Sequence, residues 1–489
     1  MTHYLLGWIL LLSWTLQPAQ ALDYSLPDMG DAAGAYLDAG LEKKLGRAFM
    51  RYVHASSEVL DDPLLSSYLQ DLGDKLARHS DAAGRSFNFF FINSPAINAF
   101  AGPGGNIGIH TGLVLESQTE SELAAVVAHE IAHVSQRHLA RMIQAAEQMT
   151  LPAAGLLLAA ILLGATGAGS AAAAALVGGQ AALLQKQINF TRANEREADN
   201  IGMKTLSRSQ FDPSAMGVFF QRMGHASTVS GAITIPEFLQ THPVTSDRIA
   251  DSLARAEKYA YRQAREDIRY HFTKTTLRAQ QFGSARSAMR HFESTLRDGR
   301  YRNEDAERYG YVQALIRGKE YAKAQQQLAK VLERHPTHSF PLITRARLAI
   351  AQGNSSSAVS LARSALKHTP NDYYLTLATA DIMLKARQPR QAYSLLKKLS
   401  RSHPEDDYVM RLLSRAAAGS GKQAESHAAL AEYHYLRGES DVAVQQLQIA
   451  LRTPGLSFHD QSKLEARSKE IDDELRALKQ KKGAGGKMF

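Results

Sequence analysis

The sequence predicts a mainly α-helical protein in two parts: an α+β domain with a small antiparallel sheet, then an α-solenoid of stacked helix pairs. Three observations predict it. Thr119 to His138 reads as one capped helix, with Thr119 and Glu122 in a T-x-x-E box and Leu123, Val126, Val127, Ile131 and Val134 at helical spacing. From Phe87 to His110 the pattern changes to short apolar runs cut by glycine and proline. Beyond residue 300, Pro336, Pro370 and Pro404 recur every 34 residues, as do Ala324, Ala358 and Ala392.

The chain of 489 residues is long enough for two or three domains. Its apolar content of 44% and charged content of 21% are ordinary for a globular protein. The net charge of +9 is spread among interspersed acids, with no dense basic run and no basic and aromatic interleaving, which argues against nucleic acid as a partner. No cysteine is present, so disulfides, thiolate metal sites and cysteine nucleophiles are excluded together.

In chain order, residues 1–21 read as a signal peptide. Leu5 to Leu16 is the apolar core, and Ala19-Gln20-Ala21 is a cleavage site that would leave a mature chain from Leu22. His3 is its one basic side chain, so an uncleaved anchor is the alternative, though the core is short of the ~20 residues that span a bilayer. Residues 22–265 form the first domain. Its opening, from Tyr36 through Ala77, is helical. Phe87–Ile92, Ile97–Ala101 and Asn106–His110 are the strands. They roof the Thr119–His138 helix or offer an edge to an extended peptide.

That helix carries His129-Glu130-Ile131-Ala132-His133. Residues four apart share a helix face, so both imidazoles can point at one metal ion, with the Glu130 carboxylate beside it to take a proton from water. The alternative is a surface helix with two solvated histidines. Gln148 to Gln185 follows without a charged residue. Its apolar runs are too short or too glycine-rich to span a bilayer, and they read as two packed alanine-rich helices with a lid-like loop; contact with a membrane is the rival.

Glu195 and Asp199 are again four apart, on a second helix. If it runs antiparallel to the first, Glu195 reaches the metal and Asp199 accepts a hydrogen bond from a liganding histidine. Otherwise Arg192, Glu195 and Arg196 pair on an ordinary charged face. His242, before Pro243, lies in an extended segment or turn. It is either a fourth metal ligand or an oxyanion donor, and Arg248 is a candidate to stabilise developing charge. His110, His138 and His225 have no ligand spacing; His138 falls on the face of the helix opposite His129.

Residues 266–300 read as a helical connector or irregular first pair, and 301–475 as repeats. A 34-residue period is that of tetratricopeptide helix pairs, where small residues permit close crossing and proline ends each pair. Gly318, Gly353 and Gly438 mark turns. Such a solenoid binds protein segments. Residues 476–489 read as a flexible basic tail, with weak contact to an anionic membrane surface as its sharper possibility.

With H-E-x-x-H, E-x-x-x-D and T-H-P-x-x-x-x-R in that order, and Asn98 to Leu113 matching N-A-F-x-x-P-G-G-x-x-x-x-x-x-G-L, the chain resembles the HtpX-like and CAAX-prenyl-protease-like zinc metallopeptidases. The resemblance implies a zincin-type domain with one zinc ion on His129, His133 and Glu195, Glu130 as general base, and Asp199 in the family's second acidic position, often described as a proton donor. It also implies that His242 contacts the metal or the oxyanion. Joined to a signal peptide and tetratricopeptide repeats, it points to the periplasmic branch of that family. That branch implies outer-membrane β-barrel proteins and their assembly machinery as clients and partners, whose assembly is promoted or whose misfolded forms are degraded. The rival from another class is a non-proteolytic chaperone or assembly scaffold with a vestigial zinc site.

Overall fold

The computed structural model describes residues 37–147, 181–229, 237–260 and 263–485. The expected signal peptide (1–21) and most of the uncharged stretch (148–180) lie outside the described residues.

Two helices open the described chain: α1 (Ala39–Ser56), capped by Asp38, and α2 (Pro63–Arg78), capped by Asp62 with proline in its first turn. Three strands follow: β1 (Asn88–Ile92), β2 (Ala99–Gly102) and β3 (Asn106–His110). Phe89 and Phe91 alternate with Phe90 and Ile92 across the sheet. The first pair belongs to the main core with Leu69, Leu72 and Leu76 of α2, and the second packs with Phe49 and Val53 of α1. Each such buried phenylalanine stabilises the fold by about 1.5–3 kcal/mol.

The sheet corrects one expectation. It is mixed, in the order β1-β3-β2, with β3 parallel to β1 and antiparallel to β2. β2 and β3 form a hairpin through Pro103–Gly105, where Gly104 and Gly105 take φ of 76° and 74°. The returning strand inserts between β1 and β2 instead of adding outside them. The outer edge of β1 is taken up by residues 58–60, through bonds such as Leu60 N–H to the Phe91 carbonyl at 3.0 Å. Among the described residues no strand pairs with the outer edge of β2.

After α3 (Thr111–Glu116) comes α4 (Glu120–Ser135). Thr119 caps it by accepting from Glu122 N–H, while Glu122 reaches back to Gln118 N–H at 2.6 Å and to Arg222. Every residue from Glu120 to Ala132 is buried, which makes α4 the central rod of the domain. It stops short of the expected His138: Arg137 takes φ 53°, and α5 (His138–Glu147) starts in a new direction. The next helix, α6 (Ala181–Arg208), packs antiparallel to α4. A Cβ on Gly202 would lie 3.2 Å from His129 N, so glycine there sets the close approach. α7 (Ser214–Val229), α8 (Glu237–Thr241) and α9 (Ser246–Ala256) complete the layer.

Helix pairs follow. α10 (Ile268–Gln281) and α11 (Ala285–Arg297) come first, and the fully buried Tyr270 hydrogen-bonds the Ser117 carbonyl beyond α3. The rest are α12 (Glu304–Arg317) with α13 (Tyr321–Arg334), α14 (Ser339–Ala351) with α15 (Ser355–His368), α16 (Tyr373–Lys385) with α17 (Pro389–Ser402), α18 (Asp407–Gly419) with α19 (Gln423–Leu436), and α20 (Ser440–Leu451) with α21 (Phe458–Gly485). Ala324, Ala358 and Ala392 sit at zero exposure on the second helix of three successive pairs. The periodic prolines follow those helices. The tail expected to be loose from residue 476 instead continues α21 to Gly485, since Ala477, Leu478 and the lysines are good helix formers. The repeats fold back on α1 and α2. Arg347 binds Asp62 and Arg411 binds Asp61, each at 2.9 Å, and α16 packs against α2.

Candidate metal centre

α4 presents His129 and His133 one turn apart, their rings edge to face with centroids 4.7 Å apart. Their Nε2 atoms are 3.0 Å from each other. From α6, Glu195 brings Oε2 to 3.4 Å from His129 Nε2 and Oε1 to 3.3 Å from His133 Nε2. His242, just past α8 and stacked on Phe238, brings Nδ1 to 3.1 Å from both Glu195 oxygens and 3.3 Å from His129 Nε2. One ligand atom from each of the four lies within 4.8 Å of all the others.

This set fits zinc. Three imidazole nitrogens and one carboxylate oxygen are donors that the borderline zinc ion takes. Donors about 2.0–2.1 Å from a zinc ion at the corners of a tetrahedron stand roughly 3.3 Å apart, and the separations given above run from 3.0 to 3.4 Å. The cluster is also rich in acceptors. Burial by itself would depress His129, but Asp199 and Glu195 outweigh it and push its pKa up to about 10. Burial also works against the Glu195 carboxylate, yet His242, His129 and His133 hold it well below the ordinary range. Burial pushes His133 down to about 4, which leaves it neutral and able to donate a lone pair. With zinc at 100 times its Kd, stability is expected to rise by about 2.7 kcal/mol over the chelated protein. Thermal melting with and without a chelator checks this.

Glu130 faces the same cleft. Its side chain is buried, and burial raises its pKa against the pull of His242 and His129. One interaction comes from the Ala101 N–H on β2; Oε1 has no hydrogen-bond partner, with His242 Nε2 3.5 Å away. The cleft, about 320 Å³, runs between Phe100, Ala101 and Pro103 on one side and His133, Asn194 and His242 on the other.

Asp199 stands behind His129, with Oδ1 3.0 Å from Nδ1. Arg248 grips the same carboxylate with Nε and Nη2, both at 2.8 Å. Its Nη1 lies 3.0 Å from Glu195 Oε2 and donates to the Pro243 carbonyl at 2.8 Å. The sequence offers Arg248 as a possible oxyanion stabiliser; in the structure its guanidinium is engaged elsewhere. Thr245 caps α9 and places Arg248 in its first turn, turned inward, where two buried carboxylates and a carbonyl consume the guanidinium.

Sequence reasoning missed His138. The break at Arg137 turns it back, so that its Nδ1 lies 2.7 Å from His133 Nδ1. The clue lay in His138 and Glu197, titratable side chains near the motifs that had no partner assigned. His110 is buried against Phe100 with neither ring nitrogen hydrogen-bonded, and burial pushes it down to about 4, as suits a core residue. His225 is exposed.

The sequence pattern of peptidase family M48 matches residues 63–256, the stretch that holds all seven candidate residues. A tetratricopeptide repeat pattern matches residues 349–416. The chain is 33% identical to the beta-barrel assembly-enhancing protease of Yersinia pestis over 95% of this chain and 94% of that one. It belongs to peptidase family M48. The corresponding figures for the Escherichia coli K12 protein of the same name are 32%, 94% and 92%, and for the putative one of Vibrio cholerae 35%, 93% and 93%. This M48 chain is therefore a metalloprotease with tetratricopeptide repeats, as the motifs and the 34-residue period imply. No helix among the described residues is long and apolar enough to cross a membrane.

Proposed function

We propose that this M48 protein is a periplasmic zinc metalloendopeptidase, held latent by His242, that acts on outer-membrane β-barrel proteins to promote their assembly or degrade misfolded forms. The observation that supports the reading is the fourfold cluster, in which a His242 ring nitrogen lies together with ligand atoms of His129, His133 and Glu195. A buried and complete donor set with a free Glu130 oxygen next to it speaks against a vestigial site in a pure scaffold. The client class rests on the names of the relatives, and repeats that recognise protein segments accord with it.

His129, His133 and Glu195 would hold the zinc ion. A zinc ion there supplies Lewis acidity, which acidifies water and polarises a peptide carbonyl. The edge of β2 that no strand among the described residues covers receives the substrate as an added strand and lays its scissile carbonyl across the cleft. Glu130, whose Oε1 faces the cleft without a hydrogen-bond partner, takes the proton of the attacking water and passes it to the leaving amine. Asp199 orients His129; against burial, His129 and then Arg248 hold Asp199 ionised, and Arg248 also lies 3.0 Å from Glu195. These are positioning roles; the proton-donor role sometimes given to the second acidic position is not assigned to Asp199.

For substrate to enter, His242 must swing off the cluster. If the latched form makes up about nine-tenths of the population, His242→Ala raises proteolysis about tenfold. The assay is cleavage of casein and of a purified, urea-unfolded outer-membrane β-barrel protein by the full chain. A loss of activity instead would assign His242 to the oxyanion, and cleavage of casein without any cleavage of the barrel protein would sink the client reading.

A further inference from the structure

Three side chains behind His133 form a chain of contacts that the reaction as described does not use. His138, 3% exposed at the start of α5, sets its Nδ1 2.7 Å from His133 Nδ1, ring centroids 4.7 Å apart. Its Nε2 is 3.3 Å from Glu197 Oε2, and Arg141 donates to that same oxygen at 2.7 Å. Glu197 is the middle acid between Glu195 and Asp199, and unlike Glu195 it does not line the cleft.

Proton accounting gives the chain a direction. A nitrogen-to-nitrogen hydrogen bond holds one proton. His133 turns Nε2 into the cluster, where a lone pair is required of a ligand, so a neutral ring carries its proton on Nδ1. Nδ1–H then donates to His138 Nδ1, the proton of His138 sits on Nε2, and that N–H points at Glu197. Each ring is left with one tautomer, and the chain ends on a carboxylate fixed by an arginine. His129 has the same device in shorter form, through Asp199 and Arg248. The two histidines of the motif are thus braced alike, one through an intervening imidazole and one directly.

We infer that His138, backed by Glu197 and Arg141, is a positioning residue for His133, fixing its ring orientation and strengthening Nε2 as a metal donor. The inference rests on the reading of His133 as a zinc ligand. Partners behind liganding histidines typically change metal affinity by about 10–100-fold when removed.

The test uses the full chain with His138→Ala, His138→Gln, Glu197→Ala and, as a control for the metal reading, His133→Ala. Zinc Kd is measured by competition with a chromogenic chelator. The visible absorption of the cobalt-loaded protein reports ligand geometry, and melting of the metal-free protein reports folding. His138→Ala is expected to weaken zinc about 10–100-fold and shift the cobalt bands. His138→Gln, whose amide oxygen can accept from Nδ1–H, recovers part of that loss. Glu197→Ala, at a half-exposed position that tolerates truncation, moves affinity in the same direction by less. If His138→Ala and Glu197→Ala both keep zinc affinity within about twofold and leave the cobalt bands in place, His138 is ordinary packing and the inference is wrong. A wild type that takes up no zinc overturns the metal reading and this inference together. A wild type that binds, with His133→Ala impaired and His138→Ala unaffected, overturns the positioning role alone.

Discussion

Replacing Glu130 with glutamine is expected to lower kcat for peptide hydrolysis by about 10²–10⁴-fold while the protein stays folded and binds zinc. The amide is the same size as the carboxylate, so the buried slot beside His129 keeps its packing. What the amide loses is the ability to take a proton at the oxygen that has no partner in the resting structure. Because Glu130 is not among the four cluster residues, zinc content should match the wild type. Casein cleavage at saturating substrate, with zinc measured on the same sample, checks both halves. The same variant separates protease from scaffold in cells. If assembly of outer-membrane barrel proteins proceeds normally with glutamine at 130, proteolysis is dispensable for that role.

Much of this site is legible in sequence because helix geometry is local. His129 with His133, and Glu195 with Asp199, are each one turn apart, so their shared faces follow from spacing alone. The repeats are legible for a similar reason: alanine at a helix crossing and proline after a helix recur with the unit that needs them. Directions set by distant parts of the chain are not legible. Nothing in Phe87 to His110 says that β3 will slip between β1 and β2, since strand order is decided by what covers each edge. Arg248 reads as a charge near a histidine. Only the packing of α9 against α6 and α7 turns it onto two carboxylates. His138 is hidden by a stop that no glycine or proline announces: Arg137 itself takes the left-handed conformation, its guanidinium held by the Leu37 carbonyl at 2.7 Å.

Arg248→Ala is expected to destabilise the metal-free protein by about 3–5 kcal/mol, the cost of leaving buried charge without its partner. Both acceptors are deep in the fold: Asp199 and Glu195 are each about 5% exposed or less, and each is held ionised in part by this guanidinium or by the histidines around it. Truncation removes a bidentate bond to one and a 3.0 Å contact to the other, and it frees the Pro243 carbonyl next to His242. The loss should be smaller with zinc bound, because a cation among His129, His133 and Glu195 offsets the same negative charge. Arg248→Lys should recover only part of the stability, since an ammonium supplies the charge without the fork that matches Asp199. Melting of wild type and both variants, with zinc and with chelator, reads these differences. An oxyanion donor would behave otherwise: Arg248→Ala would melt as the wild type does and lose kcat alone. The guanidinium has little left to offer an oxyanion, because three of its nitrogens already face carboxylate or carbonyl oxygens, so stability and metal retention are where its removal should be felt.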